Sequence, residues 1–128
     1  MIDIKQLARL VPMDGMGSER LQKLASEAVV EDVKSGTEIF KEGDQDNQSI
    51  YLLAGEIELV SKKSGARRTV TGGSDEARYA LSNLKPRQFT GVAKSAARLL
   101  RVDSVLMDSL LAWDQTMGFG IEVEAQRL

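Results

Sequence analysis

The apolar and polar positions of residues 36–60 predict three short β-strands separated by turns. Thr37–Lys41 is rich in β-favouring residues, and the polar run that follows it extends to residue 49 and cannot bury itself. Ile50–Leu53 is a continuous apolar run, which is typical of a strand buried near a core. Glu56–Val60 alternates charged and apolar residues with a period of two. The corners carry glycine, which favours an antiparallel sheet that turns back on itself: Gly36, Gly43 and Gly55.

Other segments extend this pattern in both directions along the chain. Four more show strand-like composition: Val29–Val33, Arg67–Thr71 with Val70 inward, Phe89–Ser95 and Arg98–Val102. Four others show helical periodicity or capping signals: residues 3–11 capped by Asp3, Glu19 to about Ala28 capped by Ser18, Asp75 to about Leu81, and a last helix capped by Asp103 or Ser104 with the apolar stripe Leu106, Leu110 and Trp113. The elements predict a mainly β protein flanked by helices.

Composition excludes several classes of site. The chain has 128 residues, a formal net charge of −2 and no basic block, so a direct nucleic-acid partner is not favoured. It contains no cysteine and no histidine, which removes thiolate nucleophiles and histidine-based metal centres. The acidic residues near the turns have no base or nucleophile beside them, so we expect no catalytic residue, no metal site and no enzyme. No apolar run is long enough to span a membrane, and a cytoplasmic location is expected by default.

Residues 36–59 also resemble a known family. The spacing of the three glycines, the Ile39-Phe40 pair, the Gly43-Asp44 corner and Tyr51 is similar to the first half of a cyclic-nucleotide-binding domain. The second half of that family is similar to residues 89–112, so the resemblance covers about residues 7–112. It implies an antiparallel β jelly roll (a double-stranded β-helix) with N-terminal helices and a C-terminal helix. The expected single domain then divides as follows: helical lead-in 1–28, β roll 29–102, C-terminal helix 103–116 and tail 117–128.

The resemblance also places a phosphate-binding cassette in residues 76–90, in a degenerate form. In the family this cassette reads F-G-E-x-A-L and then P-R-[AST]-A-T, and its arginine and helix N-terminus attract a cyclic phosphate. Here Pro86-Arg87 matches the Pro-Arg pair, but Gln88 and Phe89 replace the small residues. The ligand-binding residues implied are Glu76, Arg78, Ala80, Leu81, Arg87, Gln88, Thr90 and, from the C-terminal helix as a lid, Trp113.

Each of these residues also has a structural interpretation that the sequence leaves open. Arg87 would either capture a phosphate or pair with Asp75 or Glu76 across a turn. Glu76 is equally suited to the first turn of a helix. Arg78 is either solvated or a second cation for a ligand with two phosphates, and Trp113 either packs the last helix onto the barrel or stacks on a base.

The function implied is a regulatory ligand-sensing domain of the cyclic-nucleotide-binding type. It would bind a cyclic nucleotide or a related phosphate ligand (cAMP, cGMP or a cyclic dinucleotide) with no other cofactor, and would signal to a partner domain or partner protein. The alternative is a protein-interaction or dimerisation module that kept the fold and lost the nucleotide. Neither hypothesis involves a membrane or direct nucleic-acid binding, and a homodimer is compatible with both.

Overall fold

Two antiparallel sheets form the framework of the fold. The computed structural model describes residues 1–112. Its strands are β1 Val29–Val33, β2 Glu38–Phe40, β3 Gln48–Ala54, β4 Glu56–Val60, β5 Arg67–Thr71, β6 Thr90–Ala93 and β7 Ala97–Asp103. One sheet has the order β1-β7-β3 and the other the order β2-β6-β4-β5. The predicted mainly β jelly roll with flanking helices is confirmed.

Strand β3 separates two hydrophobic cores, which explains its continuous apolar sequence. Ile50 and Leu52 lie in the core between the two sheets, together with Leu59 of β4. Tyr51 points to the opposite face and packs in the second core, against the helices. Its hydroxyl donates a hydrogen bond of 2.7 Å to the carbonyl of Val11. Because both faces of β3 are buried, neither face needs polar residues.

The hairpin of β4 and β5 confirms the predicted alternation. Ile57 and Leu59 are fully buried, whereas Glu56 and Glu58 lie on the other face. In β5, Val70 is the buried residue and pairs in register with Ile57. A period of two therefore identified the inward face of this sheet.

The N-terminal lead-in is less regular than its sequence predicts. Helix α1 spans only Ile4–Leu7, a single 3-10 turn follows at Met13–Gly15, and helix α2 spans Ser18–Glu27. Asp3 caps α1 as predicted, because its Oδ1 accepts the backbone N–H of Lys5 at 2.7 Å. The predicted continuation to residue 11 is wrong. Pro12 disfavours the helical conformation at the residue before it, and the chain leaves the helix before that point.

The predicted helix from Asp75 to Leu81 is also wrong, because this segment forms one 3-10 turn, Glu76–Arg78. The backbone N–H of Leu81 donates to the carbonyl of Ile50 in β3 at 2.7 Å. Leu81 is also buried in the core between the sheets. The hydrogen bonds of a longer helix are therefore replaced by a backbone hydrogen bond from Leu81 to β3 and by the burial of the Leu81 side chain in the roll.

The last helix, α3, begins after β7 and is described over residues 104–112. Asp103 caps it, since its Oδ1 accepts the N–H groups of Val105 and Leu106 at 2.8 and 3.2 Å. Met107 and Leu110 are its buried residues, and Leu106 packs beside them. Trp113, the last residue of the predicted stripe, and the predicted tail lie outside the described residues. None of the helices in residues 1–112 has the length and apolar character needed to cross a membrane.

Candidate functional site

Arg87, the cassette arginine, is buried inside the protein. Only 4% of the residue is exposed. Its Nε and Nη2 donate to the two carboxylate oxygens of Asp46 at 2.8 and 2.6 Å, which is a bidentate ion pair. The partner is therefore Asp46, from the loop before β3, and not Asp75 or Glu76.

The remaining donors of this guanidinium are used by backbone carbonyls. Nη1 donates to the carbonyls of Leu81 and Ser82, both at 3.2 Å, and Nη2 also donates to the carbonyl of Gln48 at 2.6 Å. A guanidinium has five N–H groups, and each of the five now has a protein acceptor. Arg87 is saturated in this conformation.

An aromatic ring covers the face of the same guanidinium. The ring centroid of Phe40 lies 4.4 Å from Arg87 Cζ, within the range of a cation–π contact. Gly91 leaves room for this ring, because a Cβ at position 91 would lie 2.7 Å from a Phe40 ring carbon. The planar edge and the face of Arg87 are thus both occupied by protein.

The backbone reinforces the contact between the two segments. The N–H of Gly43 donates to the carbonyl of Arg87 at 2.8 Å, and the N–H of Arg87 donates to the carbonyl of Asp44 at 2.9 Å. These bonds fix residue 87 beside the Gly-Asp corner, and Asp46 follows that corner by two positions. We call Arg87, Asp46 and Phe40 the arginine clamp.

The electrostatics agree with this geometry. Hydrogen bonds from Arg87 lower the pKa of the Asp46 carboxyl below its ordinary value, and partial burial opposes that shift. Asp46 is therefore ionised at neutral pH, and the clamp contains one positive and one negative charge.

Among the described residues, the predicted ligand side chains of Glu76, Arg78 and Thr90 form no hydrogen bond with Arg87. Glu76 lies 3.2 Å from the guanidinium of Arg68, which in turn lies 5.6 Å from the ring centroid of Phe89. Thr90 Oγ1 accepts the N–H of Glu42 at 3.0 Å. The cassette therefore places its polar side chains in several different local networks.

Three more of the predicted residues have local structural contacts. Gln88 is exposed, and its backbone N–H donates to Ser82 Oγ at 3.2 Å. Leu81 is buried and Ala80 is half-buried. Leu81 contacts Arg87 through its carbonyl, whereas Trp113 is outside the described residues.

Arg78 points away from the clamp and toward the N-terminal lead-in. Its Nε donates to the carbonyl of Arg9 at 3.0 Å, and its Nη2 lies 3.4 Å from Asp14 Oδ2. The carbonyl of Arg78 also accepts the N–H of Val11 at 2.8 Å. Arg78 therefore joins the segment after β5 to the lead-in.

Sequence reasoning missed Asp46 and Phe40 as partners of Arg87. Phe40 belongs to the Ile-Phe pair of the family resemblance, and Asp46 lies in a polar run with several other acceptors. One signal could have found Asp46, because an arginine that becomes buried is normally paired with a carboxylate. Within residues 1–112, the acidic side chains do not gather into a group of three that could hold a metal ion.

The comparison with solved structures supports this architecture. No family model and no curated protein matches the sequence. Among solved structures, a cyclic nucleotide-binding-like protein from Brucella abortus is 23% identical with a TM-score of 0.64, over 86% of this chain and 97% of that one. The sensor domain of the transcriptional regulator DNR from Pseudomonas aeruginosa is 13% identical with a TM-score of 0.74, over 98% and 93% of the two chains. This chain has the cyclic-nucleotide-binding fold.

A third structure with this fold comes from a longer protein. It is the regulatory subunit of a cAMP-independent protein kinase A from Trypanosoma cruzi bound to guanosine. It is 17% identical to this chain with a TM-score of 0.68, and the match covers 85% of this chain and 40% of that one.

Proposed function

We propose that this chain is a non-catalytic regulatory domain of the cyclic-nucleotide-binding fold that acts on a partner domain or partner protein. We further propose that Arg87 is an internal structural clamp and not a receptor for a cyclic phosphate. The observation that carries this proposal is the saturation of all five N–H groups of Arg87 by Asp46 and three carbonyls.

A phosphate could reach Arg87 only by displacing acceptors that are already in place. Each charge-assisted hydrogen bond that is lost costs about 1.5–3 kcal/mol. New hydrogen bonds from Arg87 to the phosphate would only restore this free energy, so the exchange brings no net gain. Displacement would also leave the ionised carboxylate of Asp46 beside a second anion, which is repulsive. Cyclic phosphate binding at Arg87 is therefore expected to be weak or absent.

The rest of the cassette supports the same conclusion. Glu76, the expected acceptor for a ribose hydroxyl, lies beside the guanidinium of Arg68. Gln88 and Phe89 stand where the family has small residues that let backbone N–H groups approach a phosphate.

A regulatory role without cAMP has a parallel among the fold neighbours. The Trypanosoma cruzi structure is named as a regulatory subunit of a cAMP-independent kinase, and its ligand is a nucleoside, which has no phosphate. That parallel supports a regulatory role for the fold that does not depend on an arginine–phosphate contact.

Isothermal titration calorimetry tests the proposal. We expect no binding heat when cAMP, cGMP or a cyclic dinucleotide is added to the wild-type protein at millimolar concentration. Heat from cAMP that persists in Arg67→Ala but disappears in Arg87→Lys would contradict it. Arg67 is a suitable control because it is an exposed arginine on β5, distant from the clamp in its contacts.

A second candidate function is dimerisation through β1. This strand lies at an edge of its sheet and carries two exposed apolar residues, Val29 and Val30, the first 56% exposed. An open edge can pair with the same edge of a second copy about a two-fold axis. Sedimentation velocity would show a dimer that Val30→Lys converts to a monomer, and a wild-type protein that stays monomeric would exclude this candidate.

A further inference from the structure

A cavity of about 400 Å³ lies between the N-terminal lead-in and the β roll. Its apolar lining includes Leu10, Leu52 and Ala77, all three buried. Arg9 and Arg78 also line it. This volume is within the range of about 300–1,000 Å³ found for small-molecule sites, and an apolar lining with a few charged groups is their usual composition.

Arg78 keeps hydrogen-bonding capacity on this cavity, in contrast to Arg87. Its Nε and one Nη2 hydrogen are used by the Arg9 carbonyl and by Asp14. Its Nη1 has no acceptor among residues 1–112, so three of its five N–H groups remain available there. The 3.4 Å contact to Asp14 is long for a charge-assisted bond, so this guanidinium can donate shorter hydrogen bonds to another anion.

The charges around the cavity favour an anion. Arg9 is exposed and forms no ion pair with any residue in the described part of the chain. Asp14 is the acidic residue in the lining, so the lining carries two positive charges and one negative charge. Both arginines line the cavity together with the buried Leu10 and Leu52, and a ligand would therefore meet apolar and cationic residues together.

We propose that this cavity binds a small organic anion. Its apolar body would lie against Leu10, Leu52 and Ala77, and its carboxylate or phosphate group would accept hydrogen bonds from Arg78 with support from Arg9. The site is separate from the arginine clamp and does not depend on the answer to the cyclic nucleotide titration.

Occupancy of this cavity would affect contacts that join two parts of the fold. Arg78 lines the cavity and also holds the lead-in through its carbonyl, its Nε and its contact with Asp14. A ligand that binds only the folded protein stabilises it by mass action. Binding of an organic anion would thus change how the N-terminal lead-in packs on the β roll.

The test uses 8-anilinonaphthalene-1-sulfonate as a fluorescent apolar anion and octanoate as its competitor, with the full chain. We expect saturable fluorescence from the wild-type protein that octanoate displaces. Octanol, which has the same chain length without the charge, should displace the probe about tenfold less well, because one charge-assisted contact is missing. Octanoate should also raise the melting temperature.

Two variants and one control locate the binding. Arg78→Gln removes the charge and Ala8→Phe fills the cavity, in which Ala8 is a lining residue. Each should weaken octanoate binding about tenfold or more, whereas Arg98→Gln on the exposed face of β7 should leave it unchanged. Circular dichroism verifies that each variant is folded. Absence of probe binding, or equal octanoate binding in the wild type and both variants, would overturn the proposal.

Discussion

Arg87 and Arg78 belong to one short segment between β5 and β6, yet the fold uses them in opposite ways. Arg87 is 4% exposed and all five of its N–H groups have protein acceptors. The side chain of Arg78 is 44% exposed, and two of its N–H groups have acceptors among the described residues. The role of an arginine in this segment therefore depends on how many of its donors the surrounding backbone satisfies.

The difference has a physical origin in the neighbouring chain. Arg87 enters the roll beside the loop before β3, which supplies the carboxylate of Asp46, and the first residue of β3 supplies one carbonyl. The turn at residues 81–82 supplies two more carbonyls. Arg78 leaves the roll toward the lead-in, which supplies one carbonyl and one half-exposed carboxylate. A buried arginine must be fully paired, whereas an exposed one keeps water as a partner and can exchange it for a ligand.

The largest effect is expected from the loss of Arg87. Arg87→Ala leaves the Asp46 carboxylate and the carbonyls of Leu81, Ser82 and Gln48 without their donor, and breaking a buried pair costs about 3–5 kcal/mol. The lower end applies here because the Asp46 side chain is 35% exposed. Urea unfolding would measure the loss in the free energy of unfolding.

Arg87→Lys keeps the positive charge but removes the planar set of N–H donors, so the same assay distinguishes the two contributions. One ammonium group cannot replace five N–H donors in a plane, so this variant should be nearly as unstable as Arg87→Ala. The control Arg67→Ala should stay close to the wild type, since Arg67 is exposed and its ion pair with the half-buried Glu58 is long, at 3.6 Å. Wild-type stability in Arg87→Lys would show that the fixed donor geometry is unimportant.

A methyl group at Gly91 should disturb the clamp through Phe40. The Cβ of Gly91→Ala would lie 2.7 Å from the Phe40 ring, which must then move relative to Arg87. Overpacking of this kind costs about 1–3 kcal/mol. Gly15→Ala is the matched control, because its Cβ would meet nothing within 4 Å. Equal thermal denaturation curves for the two variants would contradict the close packing of Phe40.

Asp46→Asn should give a smaller loss that depends on pH. Because the pKa of Asp46 is lowered in the folded protein, its contribution is present above the pKa of the unfolded carboxyl, about 3.9, and disappears as pH falls through the lower folded value. At pH 7 we expect a loss of about 1.5 kcal/mol, the low end for a charged hydrogen bond.

Comparing the stability of wild type and Asp46→Asn at several pH values tests the contribution of the ionised Asp46 carboxylate alone. The difference between wild type and Asp46→Asn should shrink as pH falls below about 4, because the wild-type carboxylate loses its charge as pH passes through the lowered pKa of folded Asp46. Chemical denaturation at several pH values would measure it. A difference that is constant with pH would mean that the ionised form of Asp46 does not stabilise the fold.

The smallest effect on stability is expected at Arg78. Arg78→Ala removes a half-exposed ion pair, which contributes about 0–1 kcal/mol. It also removes an exposed hydrogen bond to the Arg9 carbonyl, which contributes about 1 kcal/mol. Its urea unfolding midpoint should therefore stay near that of the wild type, in contrast to the Arg87 variants. A loss as large as that of Arg87→Ala would erase the distinction between the two arginines.

The sequence predicted the strands well because their signals are local. The alternation in Glu56–Val60, the apolar run that became β3 and the glycine corners each depend on a few consecutive residues. One helical prediction failed because distant contacts decide the conformation. In residues 75–81 the capping signals were present, but the bond from the Leu81 N–H to Ile50 and the burial of Leu81 prevailed.

The environment of Arg87 could not be predicted for a similar reason. The Pro-Arg pair was identified from local sequence, but its carboxylate partner lies in a polar run on another strand connection. Asp44, Asp46 and Glu42 all lie in or near that run, and the backbone bonds between residues 43–44 and 87 bring the run beside Arg87, where Asp46 meets the guanidinium. The choice among these acceptors depends on tertiary structure.

The most direct test of the clamp follows the side-chain Nε–Hε resonance of Arg87 by NMR during a cAMP titration. The resonance can be assigned by its loss in Arg87→Lys. We predict slow hydrogen exchange and no change in this resonance when cAMP is added, because every N–H group is already bound within the protein. A resonance that shifts to saturation with cAMP would show that Arg87 exchanges Asp46 for phosphate, and would contradict the account.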